Sequence, residues 1–353
     1  MTILKEQKSL NEEKSELFPL LQKAMELELS TIPPYLTAWL SIKGSSKNDK
    51  AAEIIRSVMI EEMLHMILVG NLISSLGGKV CLGEKNIPTY PLRMNFTDRN
   101  FPVNLTAFSL DAIETFLQIE KPKNISLALG AFEEIDIPAV TIGEFYNDLT
   151  NRLNKMCDRF GEKAVFCGDP SKQIGEKYYS GGGKPIVITN KESADEALKI
   201  VINQGEGSSE SIFIETEDNE HDSNPPEKLG HFFRFMEINC EKCYSSTDKP
   251  QDYPSGKPLG VDYNEVYPIK QNAKSSDYKS SPKLTEFNDD FNREYSLMLI
   301  QLEKGFNGTP EALNDAIDCM HKMVPIARDM MSVRISDDGD ETCGAPSFEW
   351  NSP

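Results

Sequence analysis

Histidine, tryptophan and positive charge are scarce in this chain of 353 residues. With four histidines, His65, His221, His231 and His321, any imidazole-bearing site has few candidates. Lysine and arginine number 37 against 56 acidic residues, a formal charge of −19, which argues against nucleic acid and anionic membranes as partners. The seven cysteines are scattered, with Cys240 and Cys243 as the lone CxxC pair. A four-cysteine zinc site would need a second such pair, and the thiols read as buried or idle. No uninterrupted apolar run reaches the ~20 residues of a membrane span. The N-terminal stretch is charged rather than signal-like. A cytoplasmic protein with reduced thiols is the expectation.

What the chain does contain is helical periodicity. Apolar residues recur at helical spacing from Leu17 to Leu29, and again over a long helix from about Lys50 to Leu76 that Gly77-Gly78 should end. Pro33-Pro34 should kink or break the first helix, which resumes over Tyr35–Ile42. Residues 79–190 read as an irregular, proline-broken insertion, with a short helix near Leu110–Ile119 and a helical stretch opened by Thr141 and Glu144. Gly181-Gly182-Gly183 lacks a phosphate-loop ending and reads as a floppy turn before a short strand at 184–189. Helices are expected over about 192–206 and 227–239, then over 284–304 and 310–333, with a polar, mobile loop at 208–226, a wrapped loop at 240–282 and an acidic tail from 336. The whole is expected to be mainly α: one domain, a four-helix bundle with additional C-terminal helices packed on it.

The chemistry concentrates in Met59–Gly78. Glu62 and His65 stand three apart in an otherwise apolar helix, so a carboxylate and an imidazole share one face, one turn apart. A buried charge without a partner is costly, and a metal ion is the simplest partner. Two-iron bundles supply a lone Glu from one helix and a Glu-x-x-His from the next. Two antiparallel helices joined by a short loop would bring Glu28 level with Glu62. Glu26 competes for that role but lies about 200° away on the helical wheel, and the apolar neighbours favour Glu28. Glu61 reads as a solvated charge. The second half is drawn from Glu206, Glu227 and His231, with Glu237 as a further option. It departs from Glu-x-x-His because Lys228 occupies the position three before His231. His221 and His321 read as structural or exposed. Carboxylates with one histidine per metal suit iron or manganese better than zinc or copper.

Glu28-Leu29-Ser30-Thr31-Ile32-Pro33-Pro34-Tyr35, Glu61-Glu62-Met63-Leu64-His65, Gln204-Gly205-Glu206-Gly207 and His231-Phe232-Phe233-Arg234-Phe235 occur in an order that resembles the ferritin-like domain of the iminophenylpyruvate dimer synthase family, over roughly 15–240. The resemblance implies a ferritin-like bundle and chemistry related to oxidative coupling of amino-acid-derived imines in bisindole pigment formation. It carries Glu28, Glu62, His65, Glu206 and His231 over as ligands. The expected function is thus a metal-dependent oxidoreductase, with two irons per chain, manganese or another divalent metal as the alternative, and a small organic substrate. An iron-storage protein and a non-catalytic interaction bundle are the rival readings. Self-association into a homo-oligomer is left open.

Overall fold

A computed structural model describes residues 8–44, 47–122, 135–136, 141–206, 212–214, 228–336 and 339–352. Helix α1 (Leu10–Ser41) opens on a capping box: Ser9 accepts from the Glu12 backbone N–H while the Glu12 carboxylate accepts from Ser9 N–H. Helix α2 (Asp49–Ser75) ends in a Schellman turn, in which Gly77 N–H donates to Ser74 and Gly78 N–H to Ile73. Gly77 adopts φ of 80° there, and a side chain on Gly78 would collide with Phe18.

The expected break at Pro33-Pro34 does not occur; α1 runs through it. Pro34 removes the N–H that would pair with the Ser30 carbonyl, and the buried Tyr90 hydroxyl donates to that carbonyl instead, at 2.7 Å. The Ser30 and Thr31 hydroxyls bond back to the Leu27 and Glu28 carbonyls, which further secures the turn.

Among the described residues seven further helices follow. They are α3 (Leu110–Ile119), α4 (Ile142–Phe160), α5 (Glu162–Val165), α6 (Lys191–Glu206), α7 (His231–Asn239), α8 (Pro282–Phe306) and α9 (Ala312–Met331). Strand β1 (Leu92–Asn95) pairs antiparallel with β2 (Asn100–Val103) and parallel with β3 (Ile135–Asp136). Strands β4 (Phe213–Ile214) and β5 (Lys228–Leu229) form a second, two-stranded ladder.

The α1–α2 hairpin is the spine. On one side α4 packs on α1 and α6 packs on α2; on the other α9 packs on α1 and α8 on α2. Helices α3 and α7 pair with each other, and α7 also touches α2 and α6. Helix α4, inside the stretch expected to be an irregular insertion, is therefore a bundle member. Its N-terminus is capped by the Thr141 hydroxyl, which accepts from Glu144 N–H.

Three other expectations fail for identifiable reasons. The strand at 184–189 does not form. Its backbone groups pair with amide side chains instead: Asn71 donates to Ile186 O, and Gln173 bonds both the N–H and the C=O of Ile188. Helix α7 begins at His231 rather than 227, because Lys228–Leu229 is committed to the β4–β5 ladder. The segment after 339 is no solvated tail: Asn288, Asn292 and Ser296 of α8 hydrogen-bond the Ser347, Glu349 and Asn351 N–H groups, and Phe348 is buried. Residues 240–282 do wrap as a loop, with one short turn of 3₁₀ helix at Ser275–Tyr278. The loop expected at 208–226 falls largely outside the described residues. Among the described residues, α2 alone is long and apolar enough to cross a membrane, and 78% of its apolar window is buried within the protein.

Candidate metal centre

The packing gathers acidic, imidazole and phenol groups where α1, α2, α3 and α7 meet. Glu28 comes from α1; Glu61, Glu62 and His65 come from α2. Glu120 is the residue that ends α3, and His231 is the first residue of α7. All six are buried. Glu28, Glu62 and His65 form one group, and Glu62, Glu120 and His231 another; within each group one ligating atom per residue lies within 4.8 Å of the others. Glu62 belongs to both.

The two histidines are oriented alike. His65 Nδ1 faces the carboxylates, 3.3 Å from Glu28 Oε2 and 3.6 Å from Glu62 Oε2. Its Nε2 lies 2.9 Å from Gln204 Oε1, and the Gln204 amide nitrogen donates to Gly182 O at 3.0 Å. That second bond directs the amide oxygen at the ring, so Nε2 carries a proton and Nδ1 is the nitrogen left to ligate. His231 repeats the pattern. Its Nδ1 lies 2.8 Å from Glu62 Oε1 and 3.5 Å from Glu120 Oε2, while Nε2 lies 3.0 Å from Glu61 Oε2. Glu61 is gripped in turn by both guanidinium nitrogens of Arg234. The imidazoles stack with centroids 5.5 Å apart. Each outer carboxylate is also held from behind by a buried phenol: Tyr146 of α4 donates to Glu28 Oε1, and Tyr35 donates to Glu120 Oε1 at 2.6 Å.

The electrostatics follow from burial and proximity. Burial, then the neighbouring Glu62 charge, raises the Glu28 carboxyl to about 7. Burial also acts to raise Glu62, but His65 and His231 outweigh it and hold this carboxyl well below its usual range. For His65, burial disfavours the charged ring, yet Glu62 and Glu28 overcome it and raise the imidazole to about 10. Burial is likewise overcome at His231, chiefly by Glu120 and then by Glu61 and Glu62, and its value is driven well up. Glu61 is depressed by Arg234 and His231 against the cost of burial. Burial and the adjacent carboxylates keep Tyr35 and Tyr146 protonated.

Of the residues expected to ligate, Glu28, Glu62, His65 and His231 converge. Glu206 does not join them. Its Oε1 accepts from Gly143 N–H at 2.7 Å, so it serves as the anion at the N-terminus of α4, where a side chain on Gly143 would strike the carboxyl. Glu227 lies outside the described residues, as does His221. Glu237 accepts from Tyr244 N–H, and Glu26 from Asn86 and Gln22, both away from the centre. His321 is exposed on α9, as expected. Glu61 is a buried partner of His231 rather than a solvated charge. Glu120 completes the second group although no spacing in the sequence marks it. The available signal is a lone carboxylate closing the apolar run Phe116-Leu117-Gln118-Ile119.

A family model described as ferritin-like matches residues 21–240. The chain belongs to the ferritin-like family. The matched span nearly coincides with the 15–240 over which the sequence motifs run. Over 318 residues this ferritin-like chain is 23% identical to the dichlorochromopyrrolate synthase of Lentzea aerocolonigenes, an alignment covering 82% of the chain but 29% of that protein. It thus spans under a third of that relative's length. The solved structure of a ferritin-like protein from Caulobacter vibrioides superposes with a TM-score of 0.56 at 21% identity, covering 90% of this chain and 94% of that one. That likeness speaks for the fold.

The donor set fits a divalent metal. His231 Nδ1 is buried and makes no hydrogen bond despite the close approach of Glu62 Oε1, so its lone pair or proton has no directed partner. Carboxylate oxygens with one imidazole per group are the donors that iron and manganese favour.

Proposed function

We infer that the chain is a metal-dependent oxidoreductase whose centre holds two iron ions per chain, Glu28 and His65 serving one, Glu120 and His231 the other, and Glu62 both. One observation carries this reading. Both histidines turn Nδ1 toward the shared carboxylate while Nε2 is held by an outside acceptor, the arrangement that fixes metal-ligating imidazoles. Manganese would suit the same donors.

Iron bound here would relay electrons from the substrate to O₂. The protein contributes the rest. Tyr146 and Tyr35 fix the outer carboxylates, Gln204 and Glu61 fix the rings, and burial keeps bulk water from the reacting groups. The similarity to dichlorochromopyrrolate synthase, with the sequence motifs, supports an amino-acid-derived imine as the small organic substrate. Coupling two such imines replaces two C–H bonds by one C–C bond; the two electrons and two protons released reduce O₂ to hydrogen peroxide.

The test is O₂ uptake by chain loaded with Fe(II) without air, then given an imine generated from tryptophan. The expected result is repeated turnover with a coupled product. Uptake limited to oxidation of the added iron, with ferric mineral accumulating, would support iron storage instead. A chain that takes up no iron would support a non-catalytic bundle.

A further inference from the structure

The other side of the α1–α2 spine, facing α8 and α9, carries a second feature. A cavity of about 410 Å³ lies there, within the size range of small-molecule sites. No member of the carboxylate–histidine centre lines it. Its walls are apolar and rich in methionine, with Met59, Met63 and Met66 from α2 opposing Met298 of α8 and Met320 and Met323 of α9. Unbranched thioether side chains adapt to the shape of an apolar guest.

Three observations specify the guest. Tyr295 lines the cavity, is 2% exposed, and its hydroxyl has no hydrogen-bond partner. Its ring is clamped edge-on by Phe348, with centroids 5.3 Å apart, so this polar atom is held in place rather than loose. A buried hydroxyl without a partner is uncommon and points to an acceptor on the guest. Next, among the described residues that line the cavity, those able to bear a full charge are Arg56 and His321, both basic and both exposed at the rim, and none is a carboxylate. In a chain with a formal charge of −19 this is a local reversal of sign. Finally, Trp39 at the rim lies between two guanidinium groups, Arg56 at 6.0 Å and Arg328 at 5.5 Å from the ring, and neither arginine forms an ion pair with a described carboxylate. The walls offer too few polar groups to satisfy a cluster of water, each molecule of which needs 2–4 partners.

We propose that this cavity binds an amphipathic monocarboxylic acid whose medium-length body carries an oxygen substituent. Its apolar body lies among the methionines, a polar atom along it accepts from Tyr295, and its carboxylate sits at the Arg56 rim. The site is distinct from the metal centre and does not depend on the reading of that centre.

The experiment uses the full chain carrying Trp350→Phe, which leaves Trp39 as the sole tryptophan and a reporter at the rim. Oxo-substituted dodecanoate and the corresponding alcohol and amine are titrated below their aggregation concentrations. Saturable binding of the oxo acid is expected, about tenfold tighter than the alcohol because a charge-assisted bond to Arg56 is lost in the latter, with the amine weakest. Arg56→Ala should reduce the oxo acid to the affinity of the alcohol. Ile317→Phe, which adds bulk to the cavity wall from α9, should weaken binding severalfold while iron uptake and the melting curve stay near those of the parent. No saturable binding, equal affinity for the three probes, or unchanged binding in the Ile317→Phe chain would each overturn the proposal.

Discussion

The two halves of the candidate centre share Glu62 but are held in different ways. In the first half, His65 rests on a neutral amide, Gln204, which rests on the carbonyl of Gly182. In the second half, His231 rests on a charged carboxylate, Glu61, which rests on Arg234. An anionic acceptor makes an imidazole a stronger ligand than a neutral one does, so the second position should hold its cation more tightly. It also depends on a buried ion pair, which is costly to break from one side. Near-symmetry of the ligands thus coexists with asymmetry of their supports, and the supports are where the halves can be told apart.

The largest effect should come from the residue that the halves share. Glu62→Ala is expected to lower iron per chain from about two to near none, measured by elemental analysis after loading and desalting. His65→Ala and His231→Ala should each retain about one ion per chain; loss of both ions from either variant would mean that the halves are not separable.

Changes to the supports should be smaller and unequal. Removing such a partner weakens metal affinity by about 10–100-fold, and Glu61→Gln should fall nearer the upper end than Gln204→Leu, by competition with a chelator. Thermal melts sharpen the contrast. Glu61→Gln leaves Arg234 buried beside an uncharged amide and should cost about 3–5 kcal/mol, whereas Gln204→Leu should cost about 1–3 kcal/mol.

A pH series bears on the first half. Iron must displace the proton that His65 holds to about pH 10, so uptake should strengthen as pH rises from 7 and should release protons. Without added metal, the sign reverses. A histidine raised from 6.5 to about 10 contributes its full stability below pH 6.5, and that contribution is lost as pH rises through about 10. A melting temperature that rose over this window would contradict the assigned protonation of His65. On metal loading the smallest effects belong to the phenols. Tyr146→Phe and Tyr35→Phe each remove one hydrogen bond to a carboxylate and should cost about 1.5–3 kcal/mol at most, with both ions retained.

The unequal supports also explain how much could be read in advance. Glu62 and His65 are legible because one helix carries both at a fixed spacing, and Glu28 because its helix face is apolar elsewhere. His231 is found through the scarcity of histidine. Glu120 is hidden since its position is set by the docking of α3 against α7 across a proline-broken segment, which no local pattern encodes. Glu61 misleads because an acidic residue beside Glu62 looks solvated until α7 brings Arg234 to it. Gln204 and Gly182 carry no charge that would draw attention, and the Gly181–Gly183 turn acquires a role only through the carbonyl of Gly182. Glu206, flanked by glycines, looks like a ligand, yet the structure uses it to cap α4. The helices themselves follow their apolar periodicity closely. That α1 continues unbroken through Pro33-Pro34 rests on a hydroxyl distant in sequence, Tyr90, that stands in for a missing N–H.

The claim on which the rest depends is that a single carboxylate, Glu62, joins two metal positions. Electron paramagnetic resonance of the chain fully loaded with Mn(II) tests it directly. Two ions joined through Glu62 should give a broadened, exchange-coupled spectrum that collapses in the Glu62→Ala chain. A spectrum of isolated Mn(II) alone at full loading, or coupling that survives Glu62→Ala, would contradict the bridged centre.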